Sequence, residues 1–232
     1  KGYDVHYFDS EEKLFEAPFS QKIERILKEN KGIEELHTYE VSDHFFKTEL
    51  IRVLKEKSVE LVEHASPMFL TPKKDFEQYL EAYKTPIMIN FYKDQRDKLD
   101  LLLNKDRSPK GGRWSFDEKN RKKYPKNIEF IDNLRHQETK HVRDVKNVVQ
   151  KHFSDHPGNL DNFWLPTKRS QALRWIHHFV EEKLQKFGPY QDAVHKTNTF
   201  GFHSCLSALI NIGLITPDEV IEKVLDKSAE LN

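Results

Sequence analysis

The chain has 232 residues, with 38 Lys plus Arg against 38 Asp plus Glu, and a mean hydropathy of −0.79. Zero net charge excludes a uniformly basic nucleic-acid coat, and no apolar run approaches the roughly 20 residues of a membrane span. The single cysteine, Cys205, excludes an internal disulfide, a Cys2His2 zinc site and a self-contained four-thiolate cluster, and points to a reducing, cytoplasmic setting.

Strand and helix signals alternate over the first 86 residues. Residues 4–8 alternate polar and apolar, as a short strand does. Ser20 then stands as an N-cap before Ile23, Ile26 and Leu27, which share a helical face. Residues 35–41 read as a second strand. Ser42 or Asp43 caps a helix striped by Phe46, Leu50, Ile51 and Leu54. Residues 59–62 read as a third strand. Thr71 and Pro72 start another helix, with Phe76, Tyr79, Leu80 and Tyr83 on its buried face. Strands joined through helices by short loops predict an α/β class, with a parallel, Rossmann-like sheet layer covered by helices. A nucleotide-binding sheet of this kind places a glycine-rich turn after its first strand. None follows Phe8, so the sheet is expected to be incomplete at its N-terminus and to begin before Lys1.

The strand signal then ends. Residues 87–103 read as one long helix and residues 104–127 as a polar crossing segment. From residue 138 the pattern is helical. Val142, Val145, Val148, Val149 and Phe153 form one stripe. Thr167 caps a helix bearing Leu173, Trp175, Ile176, Phe179, Val180, Leu184 and Phe187, and Gly188-Pro189 is its stop signal. Residues 204–213 form a short apolar helix ended by Gly213. Thr216-Pro217-Asp218-Glu219 is a strong start signal for the last helix. The expected organisation is an α/β antenna-type domain over 1–86, a long helix and crossing segment over 87–137, and the start of an all-helical domain over 138–232.

Two segments carry chemistry. Residues 111–121 set Arg113, Lys119 and Arg121 among Trp114 and Phe116, behind two glycines. Basic groups interleaved with aromatic faces suit a phosphate backbone and an unstacked base. The same residues also suit a crossover loop pinned to the core by its aromatics, with solvated cations. In residues 203–213, His203 and Ser204 stand where the short helix is expected to begin. Free N–H groups at a helix start attract anions, and Ser204 and Ser207 lie three apart on one face. An ordinary Ser-capped core helix accounts for the pattern as well. Cys205 reads as a small buried hydrophobe. His152 and His156, four apart, lack a third ligand, and the adjacent His177 and His178 face different directions on a helix, so no metal site is expected. No catalytic residue is assigned.

Gly111-Gly112-Arg113-Trp114 with Phe116-Asp117 and Asn120-Arg121 resembles the signature of the deoxyribodipyrimidine photolyase-related family, the iron–sulfur bacterial cryptochromes and photolyases. Residues 160–163, residues 187–193 and His203-Ser204-x-Leu206-Ser207 with Asn211 resemble successive blocks of that family, in its order. Ser115 stands where the family has Asn, and Cys205 where it has an apolar residue. The resemblance implies a light-driven DNA-repair flavoprotein, in which reduced FAD in a helical domain donates an electron to an ultraviolet pyrimidine lesion. It implies a lumazine antenna in the α/β domain and a [4Fe-4S] cluster further on. It places His203, Ser204, Leu206, Ser207, Asn211 and Tyr190 in the flavin site. The DNA-facing candidates are Arg113, Trp114, Lys119 and Arg121. The cluster cysteines are expected beyond Asn232, so the chain reads as the N-terminal and middle part of such a protein. By itself it is expected to be inactive, to hold FAD weakly or not at all, and to self-associate through apolar faces. A non-catalytic nucleic-acid or partner-binding module built on residues 111–121 is the alternative.

Overall fold

The computed structural model describes residues 5, 7, 8, 16–83 and 85–230. The strand expected over residues 4–8 includes Asp4 and His6, which lie outside them. The chain divides into two compact units, residues 1–66 and 67–232.

The first unit runs α1 (Phe19–Glu29), β1 (Glu35–Tyr39), α2 (His44–Glu56), β2 (Glu60–His64). The strands pair in parallel, with Leu36 opposite Leu61 and His37 opposite Val62. A core of Ile23, Leu50, Val53, Leu54 and Val59 takes Leu36 and Leu61 from one face of the sheet. The mixed α/β class holds, with a sheet of two strands among the described residues. Its other face is mixed: Glu35, His37, Glu60 and His64 share it with Tyr39 and Val62, because side chains two apart point the same way. Asp43, not Ser42, caps α2, its carboxylate accepting from the Phe46 N–H at 2.6 Å. Ser20 does not cap α1. That helix starts two residues earlier than such a cap requires, at Phe19 behind Pro18, and the Ser20 hydroxyl bonds Glu49 instead. Ile51, expected in the stripe, is exposed, and Val53 takes its place in the core.

The second unit contains α3 (Lys73–Ala82), α4 (Met88–Lys98), α5 (Lys140–His152), α6 (Arg169–His178), α7 (Leu184–Tyr190), α8 (Ser207–Asn211) and α9 (Pro217–Glu230). Thus α3, expected in the α/β domain, groups with the helices. Only Tyr79 of its expected buried face is buried. The long helix expected over 87–103 stops at Lys98, because Asp100 and Leu102 turn to positive φ and the Leu101 and Leu102 carbonyls are taken by the Arg96 side chain. Gln171, not Thr167, serves the start of α6: its Oε1 accepts from the Thr167 and Lys168 N–H groups. Gly188-Pro189 does not stop α7, which runs through to Tyr190. Proline removes one amide donor there, and its own carbonyl is met by the Lys122 N–H at 3.0 Å. The start signal at Thr216 holds: Thr216 N–H donates to Glu219 Oε2 at 2.9 Å while the Glu219 N–H returns to Thr216 Oγ1.

Between α6 and α7, residues Phe179–Lys183 form a π-helical turn. The core of this unit is Ala172, Trp175, Ile176, Phe179, Val180, Leu206, Leu209 and Ile215. The stripe on α5 is amphipathic as expected, yet Val145 and Val148 stay exposed. No helix among the described residues is long and apolar enough to cross a membrane.

Candidate functional site

The loop over residues 111–121 is held from beneath by one cation. Arg96 is 6% exposed and donates to three backbone carbonyls: Leu101 at 3.1 Å, Leu102 at 2.6 Å and Trp114 at 2.7 Å. Its guanidinium also lies 5.2 Å from the centre of the Trp114 ring. Gly111 has φ +76°, and a Cβ there would come 2.9 Å from the Phe116 ring, so the two-glycine turn is sterically required. Asn120 is buried and donates to Asp117 Oδ1 at 3.0 Å. Trp114 therefore serves as an anchor of this loop. The cations face outward, each with a neighbour: Arg113 is 3.8 Å from Glu118, Arg121 3.5 Å from Asp192, and Lys119 lies over the Phe116 ring.

This loop meets the segment around residue 190. The Asn120 carbonyl accepts from the Asp192 N–H at 3.2 Å. Tyr124, just beyond the loop, packs its ring 5.2 Å from Tyr190, 5.1 Å from Phe130 and 6.1 Å from Phe202, and its hydroxyl donates to the Ala193 carbonyl at 3.3 Å. Burial, with Tyr190 beside it, pushes the Tyr124 hydroxyl pKa up. Gly201, at φ +50°, approaches so closely that a Cβ would run into the Tyr124 hydroxyl. Tyr190 thus belongs to an aromatic cluster with Tyr124, Phe130 and Phe202, residues that lie between the sequence blocks. Tyr124 and Phe130 carry little signal in the sequence, where they are aromatics at and beyond the end of a basic run.

The fourth segment forms a cavity of about 390 Å³, near the lower end of small-molecule sites. His203, Ser204, Leu206 and Ser207 all line it, with Phe187, Gln191, Thr199, Phe200 and Cys205. Asn211 and Tyr190 do not; Asn211 sits exposed at the far end of α8. The expected helix start at Ser204 is corrected. The Ser204 carbonyl accepts from Trp175 Nε1 at 2.8 Å and Cys205 takes φ +54°, so α8 begins only at Ser207 and is five residues long. A helix this short carries little dipole, so anion attraction here rests on side chains. Burial pushes the Cys205 thiol up, against the pull of Lys183, which keeps it protonated; expected to be buried, it is half-buried and lines the cavity. No carboxylate lines the cavity, and its hydroxyls, amide and imidazole fit a polar, anionic portion of a cofactor such as FAD.

Residues 161–163 line a different cavity, which shares only Phe200 with this one. Among the described residues no group of three His, Cys, Asp or Glu could hold a metal ion. His156 pairs with Asp155 at 3.0 Å.

Lys183 was also passed over, although the sequence held a signal for it. It is three and four residues beyond Val180 and Phe179, on the apolar side of the helix, where a cation is anomalous. It is 1% exposed, and burial pushes its pKa down.

The sequence profile of the family described as deoxyribodipyrimidine photo-lyase-related protein matches residues 1–165. A (6-4) photolyase of Agrobacterium fabrum (strain C58 / ATCC 33970) is 33% identical over 153 residues, which is 63% of this chain and 29% of that relative. The chain thus matches under a third of the relative's length, and the cavity around His203 lies beyond the profile match. With the profile spanning the α/β unit and the anchored two-glycine loop, the chain belongs to the deoxyribodipyrimidine photolyase-related protein family.

Proposed function

We propose that this chain takes part in light-dependent DNA repair, as part of a photolyase- or cryptochrome-type flavoprotein whose helical unit supplies one wall of the FAD site. The observation that carries this reading is the convergence of His203, Ser204, Leu206 and Ser207 on one cavity, in a chain of this family with a (6-4) photolyase among its relatives. FAD, when bound and reduced, supplies the electron for repair. The Ser204 and Ser207 hydroxyls and the His203 imidazole would hold its pyrophosphate, and Phe187 and Phe200 would keep water from it. The protonated Cys205 adds no negative charge against those phosphates.

In this reading the first unit is part of a Rossmann-like layer that holds a lumazine antenna. A [4Fe-4S] cluster needs four thiolates, and this chain's own residues supply one. Few contacts also mean weak retention of a dinucleotide, because its ordering cost is met by only one wall.

The test is FAD titration of the chain, followed by flavin fluorescence anisotropy. Weak, saturable binding is expected, reduced about tenfold or more when Ser204 and Ser207 are both changed to Ala, since each removes a hydrogen bond to a charged group. Binding indifferent to those changes refutes the assignment. A second reading, nucleic-acid binding by residues 111–121, draws on the exposure of Arg113 and Arg121, whose side chains are 59% and 75% exposed. Its mark is a DNA affinity that falls steeply with salt and loses part of that slope in Arg113→Ala and Arg121→Ala.

A further inference from the structure

On the mixed face of the sheet in the first unit, β1 carries Glu35, His37 and Tyr39, and β2 carries Glu60, Val62 and His64. The register sets His37 opposite Val62, which makes His64 its diagonal neighbour. His37 Nδ1 and His64 Nε2 are 2.9 Å apart. The ring centres are 5.2 Å apart and the ring planes differ by 17°. Two imidazoles joined nitrogen to nitrogen have this separation, so the ring edges meet head to head.

Glu35 fixes the donor chemistry. Its Oε2 lies 2.8 Å from His37 Nε2. A carboxylate only accepts, so His37 Nε2 carries the hydrogen and Nδ1 of the neutral ring offers a lone pair. A carboxylate on the far nitrogen is also the partner that orients a metal-ligating histidine and raises its basicity. The neutral His64 ring offers a second lone pair at Nε2 when its hydrogen stands on Nδ1, a change of tautomer with no net gain or loss of a proton.

Charge and access both favour a cation. The face holds two carboxylates, Glu35 and Glu60, and no Lys or Arg. The His37 and Glu35 side chains are 52% and 54% exposed, and His64 is exposed as well. An ion about 2.0–2.1 Å from both nitrogens would subtend about 90° across their 2.9 Å separation, the angle between adjacent positions of a square-planar or octahedral centre. Exposed rings are free to turn and aim their lone pairs at it.

We propose that His37 and His64 bind a divalent late transition-metal ion between β1 and β2, with Glu35 as the outer partner of His37 and water in the remaining positions. Imidazole suits copper(II), nickel(II) and zinc(II), copper most tightly, whereas magnesium and calcium require oxygen donors. The ion ties together strands whose histidines are 27 residues apart in the chain. This site does not rest on the flavin assignment.

The chain is stripped with a chelator and titrated with copper(II), nickel(II), zinc(II) and magnesium, with isothermal calorimetry and, for copper, electron paramagnetic resonance as readouts. One tight equivalent of copper is expected, with hyperfine structure from two imidazole nitrogens. Nickel and zinc compete for it and magnesium does not. His37→Gln and His64→Gln each weaken that equivalent about tenfold or more, and Glu35→Ala weakens it less. Circular dichroism of the stripped variants checks their folding, and the resonance spectrum of the unaltered chain tests the site without them. Absence of a saturable copper equivalent overturns the proposal. So does a spectrum with fewer than two imidazole nitrogens, a tight equivalent undiminished in either histidine variant, or equal competition by magnesium.

Discussion

Replacing Arg96 tests whether one buried guanidinium holds the two-glycine loop. Its three bonds to the carbonyls of Leu101, Leu102 and Trp114 measure 3.1, 2.6 and 2.7 Å. A hydrogen bond to a charged group contributes about 1.5–3 kcal/mol, and a buried site loses little of that to solvent screening. Gross loss of all three would be several kcal/mol, but removing the cation also removes its own burial cost. The net expectation for Arg96→Met is about 3–5 kcal/mol of lost stability. For Arg96→Lys it is about 1.5–3 kcal/mol, because a single ammonium cannot span the carbonyls that the planar fork reaches together. Urea unfolding of the chain reads both values. Limited trypsin digestion reads the loop: Arg113 and Lys119 are exposed and should be cut faster in each variant. If Arg96→Lys unfolds within about 0.5 kcal/mol of the unaltered chain, the fork is not what holds the loop.

Gly201→Ala forces a left-handed side chain and drives a methyl into the Tyr124 hydroxyl, so a loss of about 2–4 kcal/mol is expected in thermal unfolding; a loss below about 1 kcal/mol contradicts the close approach. Burial alone would raise the Glu219 carboxyl, but the Arg169 guanidinium and the Thr216 N–H hold it below the ordinary range. Its contribution is therefore present above the unfolded value of about 4.3 and is lost as pH falls through the lower folded value. Glu219→Gln should cost about 1 kcal/mol at neutral pH, the exposed Arg169 limiting the effect, and should flatten that part of the acid stability profile; an unchanged profile assigns the acid sensitivity elsewhere. Val145 and Val148 leave an apolar face on α5, beside a nearly nonpolar cavity of about 350 Å³ that Val142, Val149, Leu160 and Phe163 help to line. Sedimentation should show concentration-dependent association that Val145→Lys reduces, and a monodisperse monomer over a wide concentration range removes this expectation.

Features set by near neighbours were legible in the sequence. Asp43 caps α2 and Thr216 pairs with Glu219 because each bond closes within three residues. The strand–helix–strand order of residues 35–64 follows from periodicities of two and 3.6, which belong to the backbone itself. The convergence of His203, Ser204, Leu206 and Ser207 on one cavity was legible for the same reason, since they are four residues apart at most. What tertiary structure decided lies where a side chain captures a distant carbonyl or amide. Arg96 reaches Trp114 across 18 residues and ties that carbonyl to the Leu101 and Leu102 carbonyls just past the end of α4. Trp175 takes the Ser204 carbonyl across 29 residues and delays α8. Lys183 reaches Asn133 across 50 residues through a π-helical turn that no local pattern announces. Every buried hydrogen-bonding group, backbone or side chain, must find a partner, and only the folded chain determines whether that partner lies four residues away or fifty.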